Sequence, residues 1–374
     1  MITILLLSSL WSGCSRETSL DSGRVYPLKI EKARHYRFKI VSKDGPFFGK
    51  IEDDDHLYVY FLSNRNNDCE ILKIDENRLE VVDRYVVQKG VGPGEVQNPR
   101  IYGGNDRSVI IYDAPAFKYI EFDPRFHFRR EYRLANLGVF LYSGGRYVPE
   151  DRLVVDGFYR FLNYYRCLTR IYSLKLEENG KTRGTILFET SWVKHKKNRK
   201  TVAAQPIHFG CFFDHLYVLD KRQYRLLKMS MDGKVIKKIK IAFEPKRFSE
   251  GQRKRWVERF YGSKRVKNMD YPERLWPAAW MLPIGGGIAV ARCENYDPDV
   301  AGPIPADYFD PDLNYLGRIT LPYVKYWNDP TVGQVVAHNN YFFKNGKLYA
   351  LEERGEAYWL VQWRVQDGGL RSPK

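Results

Sequence analysis

The side chains that most often carry catalysis are scattered along this chain rather than grouped in short motifs. The sequence of 374 residues holds seven His but no HxH or HExxH pair, and it has no GxSxG element. Neither a zinc site nor a serine nucleophile of these kinds is therefore indicated. Asp residues between 297 and 312 could offer oxygen ligands to Ca²⁺, but their spacing is not that of an EF-hand. We expect no metal and no other cofactor, and catalysis is left open.

The chain carries a large excess of positive charge. Lys and Arg number 61 against 45 Asp and Glu, a formal net charge of +16. Such a field attracts anionic partners, for example an acidic glycan or a lipopolysaccharide phosphate. The alternative is a basic surface with no dedicated ligand. The densest run, Lys194 to Lys200, is interpreted mainly as a solvated loop, with an anionic membrane or glycan contact as the alternative.

A glycine-rich turn, Gly92-Pro93-Gly94-Glu95, is the clearest local motif. The glycines permit positive φ and close approach of backbone, and Pro93 fixes one dihedral angle. Glu95 could accept backbone N–H groups or a ligand hydroxyl. We favour a structural connecting turn, because the loop lacks the Lys-Ser/Thr ending of a phosphate-binding P-loop.

The elements that position these residues repeat along the chain. Asp55-His56-Leu57-Tyr58-Val59 recurs as Asp214-His215-Leu216-Tyr217-Val218. Each copy is a turn followed by an apolar strand, and further strands and turns follow in the same order. The unit can be started near six positions: Leu57, Ile110, Leu153, Leu216, Ile288 and Leu348. The sequence therefore predicts an all-β fold, a six-bladed β-propeller with four-stranded antiparallel blades.

Two further features complete this architecture. Either residues 25–30 or residues 36–41 are predicted to supply the missing strand of the last blade and so close the ring. Ser249 and Gln252 have capping-box spacing ahead of an apolar helical face, which predicts one helix inserted near 250–261.

In a propeller, the loops between blades and those joining each second strand to its third meet at one face, where ligands usually bind. This assignment brings candidate ligand-binding residues together there: Glu95, Arg100, Lys118, Lys221, Arg222, Arg292 and Arg354. An acidic or metal site at the channel mouth is the alternative, and its candidates are Glu95, Asp113, Asp220 and Glu353.

The turn at Gly92 also carries a resemblance. Val91-Gly92-Pro93-Gly94-Glu95, with Pro99 four residues on, is similar to the GxGPGE(F)xxP signature of bacterial six-bladed β-propeller lipoproteins, which are NHL-repeat-like. Val96 stands where that signature usually has Phe. The resemblance covers most of residues 25–366. It implies an exported propeller, and related propellers include lactonases, lyases and glycan-cleaving proteins.

The N-terminus agrees with export. Ile2 to Leu10 is an apolar run, far short of the roughly 20 residues that span a bilayer, which is typical of a signal-peptide core. Ser12-Gly13-Cys14 then resembles a bacterial lipobox, which implies lipidation of Cys14. The alternative is an ordinary secretory signal with an incidental Cys. We assign residues 1–13 to the signal peptide, 14–24 to a flexible tether and 25–374 to the propeller.

The sequence therefore favours an exported, lipid-anchored propeller, periplasmic or at the cell surface, that binds a ligand or a protein. We expect a monomer, with an envelope protein or an anionic glycan as partner and no nucleic acid, because no nucleic-acid-binding signature is present. A propeller enzyme of the lactonase, lyase or glycan-cleaving kind is the alternative, and a structural scaffold in an envelope complex is a third hypothesis.

Overall fold

In the computed structural model, every long element among the described residues is a β-strand. The structure describes residues 17–18, 25–38, 45–49, 51, 55–63, 66–104, 107–133, 141–148, 152–160, 166–177, 180–193, 200–201, 207–243, 247, 249–251, 269–270, 278–292, 302–322, 341–354 and 357–366. Among these residues, no helix has the length and apolar character needed to cross a bilayer.

The strands form six four-stranded blades, one short N-terminal strand and a pair of short strands between blades, and the second strand in the chain belongs to the last blade. The N-terminal strands and blade 1 are β1 (Glu17–Thr18), β2 (Lys29–Phe38), β3 (Phe47–Gly49), β4 (His56–Leu62), β5 (Cys69–Asp75) and β6 (Val81–Val87). Blade 2 holds β7 (Pro99–Gly104), β8 (Val109–Asp113), β9 (Lys118–Phe122) and β10 (Phe128–Arg133). Blade 3 holds β11 (Leu141–Val148), β12 (Arg152–Arg160), β13 (Arg166–Leu176) and β14 (Thr182–Val193), and β15 (Lys200–Thr201) follows it.

The second half continues the pattern. Blade 4 holds β16 (Ile207–Phe212), β17 (His215–Asp220), β18 (Arg225–Met229) and β19 (Val235–Ile241), and β20 (Met269–Asp270), which pairs with β15, follows it. Blade 5 holds β21 (Ala278–Ile284), β22 (Gly287–Arg292), β23 (Ile304–Phe309) and β24 (Tyr315–Leu321). Blade 6 holds β25 (Tyr341–Lys344), β26 (Lys347–Arg354) and β27 (Ala357–Gln366) together with β2.

The six-bladed β-propeller predicted from the repeats is confirmed. Each of the six repeat starts lies in the second strand of its blade. First strands of successive blades contact one another and therefore line the axis. β2 pairs antiparallel with β27, so the N-terminal strand closes the ring, and it covers parts of both segments proposed for this purpose.

The core lies between blades. Among the described residues, buried apolar side chains form six clusters, and each cluster joins two neighbouring blades. In β4, Leu57 and Val59 pack toward blade 6, whereas Tyr58 and Tyr60 pack toward blade 2. Because successive side chains of a strand alternate between its faces, a strand buried on both faces is apolar throughout. This explains the continuous apolar strands of the repeat.

The outer strand of every blade contains one extra residue relative to its partner. The six extra residues are Ala33, Val82, Arg129, Leu187, Ile236 and Leu316. Bulges of this kind twist an edge strand and hinder its pairing with another chain. The outer strands are therefore protected against pairing with strands of other molecules.

The predicted helix is described only at its start. Glu250 and Gly251 are helical, and the rest of 250–261 lies outside the described residues.

Candidate ligand-binding face

Loops between blades and loops from second to third strands meet at one end of the ring, as strand direction requires. We call this end the loop face. Its described loops include residues 88–98, 114–117 and 221–224. Every candidate ligand-binding residue with a described position lies in or beside one of these loops, or at the end of a strand that leads into one.

The Gly92-Pro93-Gly94-Glu95 turn is held by its own carboxylate. Glu95 Oε2 accepts a hydrogen bond from the Gly92 N–H at 2.7 Å, and the Glu95 N–H donates to the Gly92 carbonyl at 3.1 Å. Gly94 has φ +74°, and a Cβ there would lie 3.0 Å from Phe128. Both the left-handed backbone and the close approach explain glycine at this position.

Lys118 ties this turn to blade 2. Its Nζ lies 3.0 Å from the Gly92 carbonyl oxygen and 2.6 Å from Glu131 Oε1, and that same carboxylate oxygen accepts from the Gly94 N–H at 3.1 Å. Lys118 is buried, which strengthens its charged hydrogen bonds. Lys118 and Glu95 thus both stabilise the conformation of the glycine-rich turn at the loop face.

The blade 4 loop is organised by Asp220. Arg222 Nε lies 3.3 Å from one Asp220 oxygen, and Arg225 Nη2 lies 3.2 Å from the other. Asp220, Lys221 and Arg225 are buried, whereas a quarter of the Arg222 side chain is exposed. Arg222 is therefore a cation with a fixed position that still faces solvent.

A second buried carboxylate, Asp307, joins blades 4 and 5. It accepts a short hydrogen bond from the Tyr224 hydroxyl, and Arg292 Nη1 lies 3.3 Å from it. The Arg292 guanidinium also lies 4.0 Å from the centre of the Phe243 ring. Burial, together with the charge of Asp307, holds the pKa of Tyr224 well above its usual value. Arg292 is therefore engaged inside the protein.

Arg100 is half-buried at the start of the inner strand of blade 2. Burial raises the pKa of the neighbouring Tyr60, and the positive charge of Arg100 opposes that rise. Arg100 of blade 2 consequently lies near Tyr60 of blade 1, at the junction of the two blades.

Blade 6 carries the most exposed of the predicted cations. The Arg354 guanidinium lies 5.0 Å from the centre of the Trp359 ring, and Arg37 lies 6.0 Å from the same centre. Arg354 Nη2 is also 2.5 Å from Glu352, and 38% of its side chain is exposed. We call Arg37, Arg354 and Trp359 the blade 6 cluster. Two cations held on one aromatic ring form a platform suited to an anionic ligand.

Sequence reasoning missed Arg37 and Trp359. Arg37 lies near the N-terminus, 317 positions before Arg354, and only ring closure by β2 places it directly opposite Trp359. The one available signal was the strand predicted to close the last blade, since its residues must lie beside those of the final repeat.

Two of the acidic candidates each have one buried oxygen that accepts no hydrogen bond from the described residues. Asp113 Oδ1 accepts from the Asn98 N–H at 2.9 Å, whereas Asp113 Oδ2 and Glu353 Oε2 are buried with no hydrogen-bond partner among the described residues. Within that part of the chain, no three His, Cys, Asp or Glu side chains are grouped closely enough to hold a metal ion. Cys14 and the Lys194 to Arg199 part of the basic run lie outside the described residues.

Comparisons with known proteins identify the fold. No family model and no curated protein matches the sequence. A DUF4221 family member from Bacteroides vulgatus aligns over 91% of this chain and 99% of its own, with 9% identity and a TM-score of 0.57. An exported-protein candidate from Bacteroides fragilis covers 94% of this chain and 98% of its own, with 12% identity and a TM-score of 0.49. At this identity the first likeness shows a shared fold only.

Proposed function

We propose that this protein is an exported, lipid-anchored β-propeller that binds an anionic ligand, such as an acidic glycan or a phosphorylated lipopolysaccharide, at its loop face. The blade 6 cluster is the observation that carries the proposal. Arg354 and Arg37 are both exposed and both lie against the ring of Trp359. Guanidinium groups bind carboxylates and phosphates through paired N–H donors, and the ring of Trp359 holds both cations in place.

The rest of the loop face supplies rigidity. Lys118, Asp220 and Asp307 are buried in ion pairs and hydrogen bonds that fix the loops around them. A rigid scaffold lowers the entropy lost when a ligand binds. Export and acylation rest on the apolar run at Ile2 to Leu10 and on Cys14 in its lipobox-like setting.

Calorimetric titration of the whole chain with polygalacturonate, with lipopolysaccharide and with neutral dextran tests the binding proposal. We expect the two anionic probes to bind and dextran not to bind. The double variant Arg37→Gln, Arg354→Gln should weaken binding by about a hundredfold or more, because it removes two charge-assisted contacts that contribute about 1.5–3 kcal/mol each. Arg125→Gln is the matched control, because Arg125 is exposed in a turn at the opposite end of the ring.

Equal affinity of the double variant and Arg125→Gln would remove the blade 6 cluster from the proposal. Acylation is tested separately by the mass of the N-terminal peptide, in which the proposal requires Cys14 to be the first residue and to carry acyl chains.

The second candidate function is that of a propeller enzyme with an acidic or metal site. It is favoured by the buried oxygens of Asp113 and Glu353 that have no hydrogen-bond partner among the described residues. Buried carboxylate oxygens without donors are suited to a cation or to the hydroxyls of a substrate. Ca²⁺ titration of the wild type and of Asp113→Asn, with turnover of a sugar lactone as a second readout, tests whether Asp113 is part of such a site. Wild-type turnover that Asp113→Asn abolishes would replace the binding-module proposal with an enzyme.

A further inference from the structure

The N-terminal segment is attached along the rim of three blades. β1 pairs in parallel with β19, the outer strand of blade 4, through Glu17 beside Lys240. Val25 then bridges to Arg318 in the outer strand of blade 5, and β2 completes blade 6. Two residues of the predicted tether are thus strand residues against blade 4.

This attachment limits where an anchor at Cys14 can lie. Cys14 precedes Glu17 by three residues, and three residues span at most about 11 Å. An acylated Cys14 therefore places the bilayer surface close to the outer edge of blade 4, whatever conformation residues 14–16 adopt. A free tether through residue 24 would have left every blade equally able to face the membrane.

The outer edge of blade 4 has the composition of a membrane contact. Residues 230–241 contain Lys234, Lys237, Lys238 and Lys240 and a single acid, Asp232. Val235 and Ile236 are 50% and 52% exposed, and Ile236 is the bulged residue of its strand. Lysines are attracted to anionic headgroups, while exposed apolar side chains enter the interface.

Blade 3 extends the same surface. A Cβ on Gly233, in the turn before β19, would lie 3.1 Å from the Leu187 carbonyl oxygen of β14, so this turn and β14 are in contact. Beside that contact Ile186 is 47% exposed, and Arg183 is exposed on the same strand. Apolar and basic side chains therefore continue from one blade to the next.

We propose that this surface, β19 with its preceding turn and the adjoining part of β14, lies against the anionic membrane in which Cys14 is anchored. The inference rests on the proposed acylation. It sets the propeller on its edge, with its axis along the membrane plane, so that the loop face opens sideways to ligands in the surrounding compartment.

Thiol labelling in vesicles of phosphatidylglycerol and phosphatidylethanolamine tests this orientation. The variants are Ile236→Cys and Val82→Cys, which replace exposed bulge residues in blades 4 and 1, on opposite sides of the ring. Each is labelled with a water-soluble maleimide in its acylated, vesicle-bound form and in its Cys14→Ser form. Labelling of the chain without the added cysteine is subtracted.

We expect Ile236→Cys to react about tenfold more slowly in vesicles than in its Cys14→Ser form, because burial at an interface excludes the reagent. Val82→Cys should react equally in both. Equal rates for Ile236→Cys, with acyl chains present by mass, would overturn the orientation and leave the anchor intact. An N-terminal peptide without acyl chains would overturn both.

Discussion

At the scale of single residues, the glycine-rich turn has its sequence because its backbone leaves no room for a side chain. We expect Gly94→Ala to lower the free energy of unfolding by about 2 kcal/mol or more, since alanine meets both a left-handed backbone and a clash with Phe128. Denaturant unfolding measures the change.

Gly286→Ala is the matched control for that variant. Gly286 has φ +80°, but a Cβ added there would meet no atom of the described residues within 4 Å. Gly286→Ala should therefore lower the free energy of unfolding by about 1 kcal/mol, the cost of alanine in a left-handed backbone conformation alone. Equal losses for the two variants would show that Phe128 does not restrict the turn.

Asp307 is a buried carboxylate that is paired with side chains that are themselves buried. It is fully buried and bonds both Tyr224 and Arg292. We expect Asp307→Asn to cost about 3–5 kcal/mol, because Arg292 would keep a buried charge without its counter-ion. Glu189→Gln, which breaks the partly exposed pair with Arg170, should cost less than about 1 kcal/mol. Thermal unfolding measures the loss of stability in both variants. A small loss for Asp307→Asn would mean that water reaches the Arg292 guanidinium and replaces its counter-ion.

At the scale of elements, the repeated tyrosine of the pentapeptide is a connector between blades. Tyr349 in blade 6 donates to Glu76 in the turn of blade 1 at 2.9 Å, and Tyr217 in blade 4 donates to the Pro311 carbonyl of blade 5 at 2.6 Å. Tyr58 in blade 1 contacts Phe126 of blade 2, with ring centres 6.3 Å apart. Each tyrosine reaches the turn between the third and fourth strands of the next blade.

Those turns are closed by acidic caps. Asp75 Oδ1 accepts from the Asn77 and Arg78 N–H groups, and Asp123 Oδ1 accepts from those of Arg125 and His127. Hydrogen bonding from the Arg78 backbone, more than any other cause, lowers the pKa of Asp75. Burial acts to raise the pKa of Asp123, but the bonds from His127 and Arg125 outweigh it and leave it lowered.

We therefore expect the propeller to lose stability in acid. Because the folded pKa values of these caps lie below the unfolded value of about 3.9, their contribution is complete above that pH and is lost as pH falls through the folded values. Denaturant unfolding at a series of pH values checks this. Asp75→Asn with Asp123→Asn should flatten the acid limb of the curve, and an unchanged limb would assign acid sensitivity to other groups.

At the scale of the whole molecule, the sequence revealed the number and order of blades because each repeat carries its own strand pattern. It did not reveal which groups would pair with the predicted cations. Lys118 pairs with Glu131, and Arg292 pairs with Asp307, in each case across two adjacent strands of one blade. Pairing between the two ends of the chain, which forms the blade 6 cluster, is a property of closure rather than of local pattern.

Closure itself is the last testable consequence. β27 hydrogen-bonds β2 on one side, and Trp359 and Trp363 lie opposite Arg37 and Lys32 in the pairing. A chain that starts at residue 45 lacks β2, which leaves β27 as an unpaired edge rich in aromatic side chains and prone to aggregation. We expect this chain to precipitate or to lose its single cooperative unfolding transition, and a peptide of residues 25–38 added in trans to restore it. A scrambled peptide of the same composition should have no effect. If the shortened chain unfolds with wild-type cooperativity without any peptide, the six blades are held together by their inter-blade clusters alone, and β2 contributes Arg37 to the loop face without securing the ring.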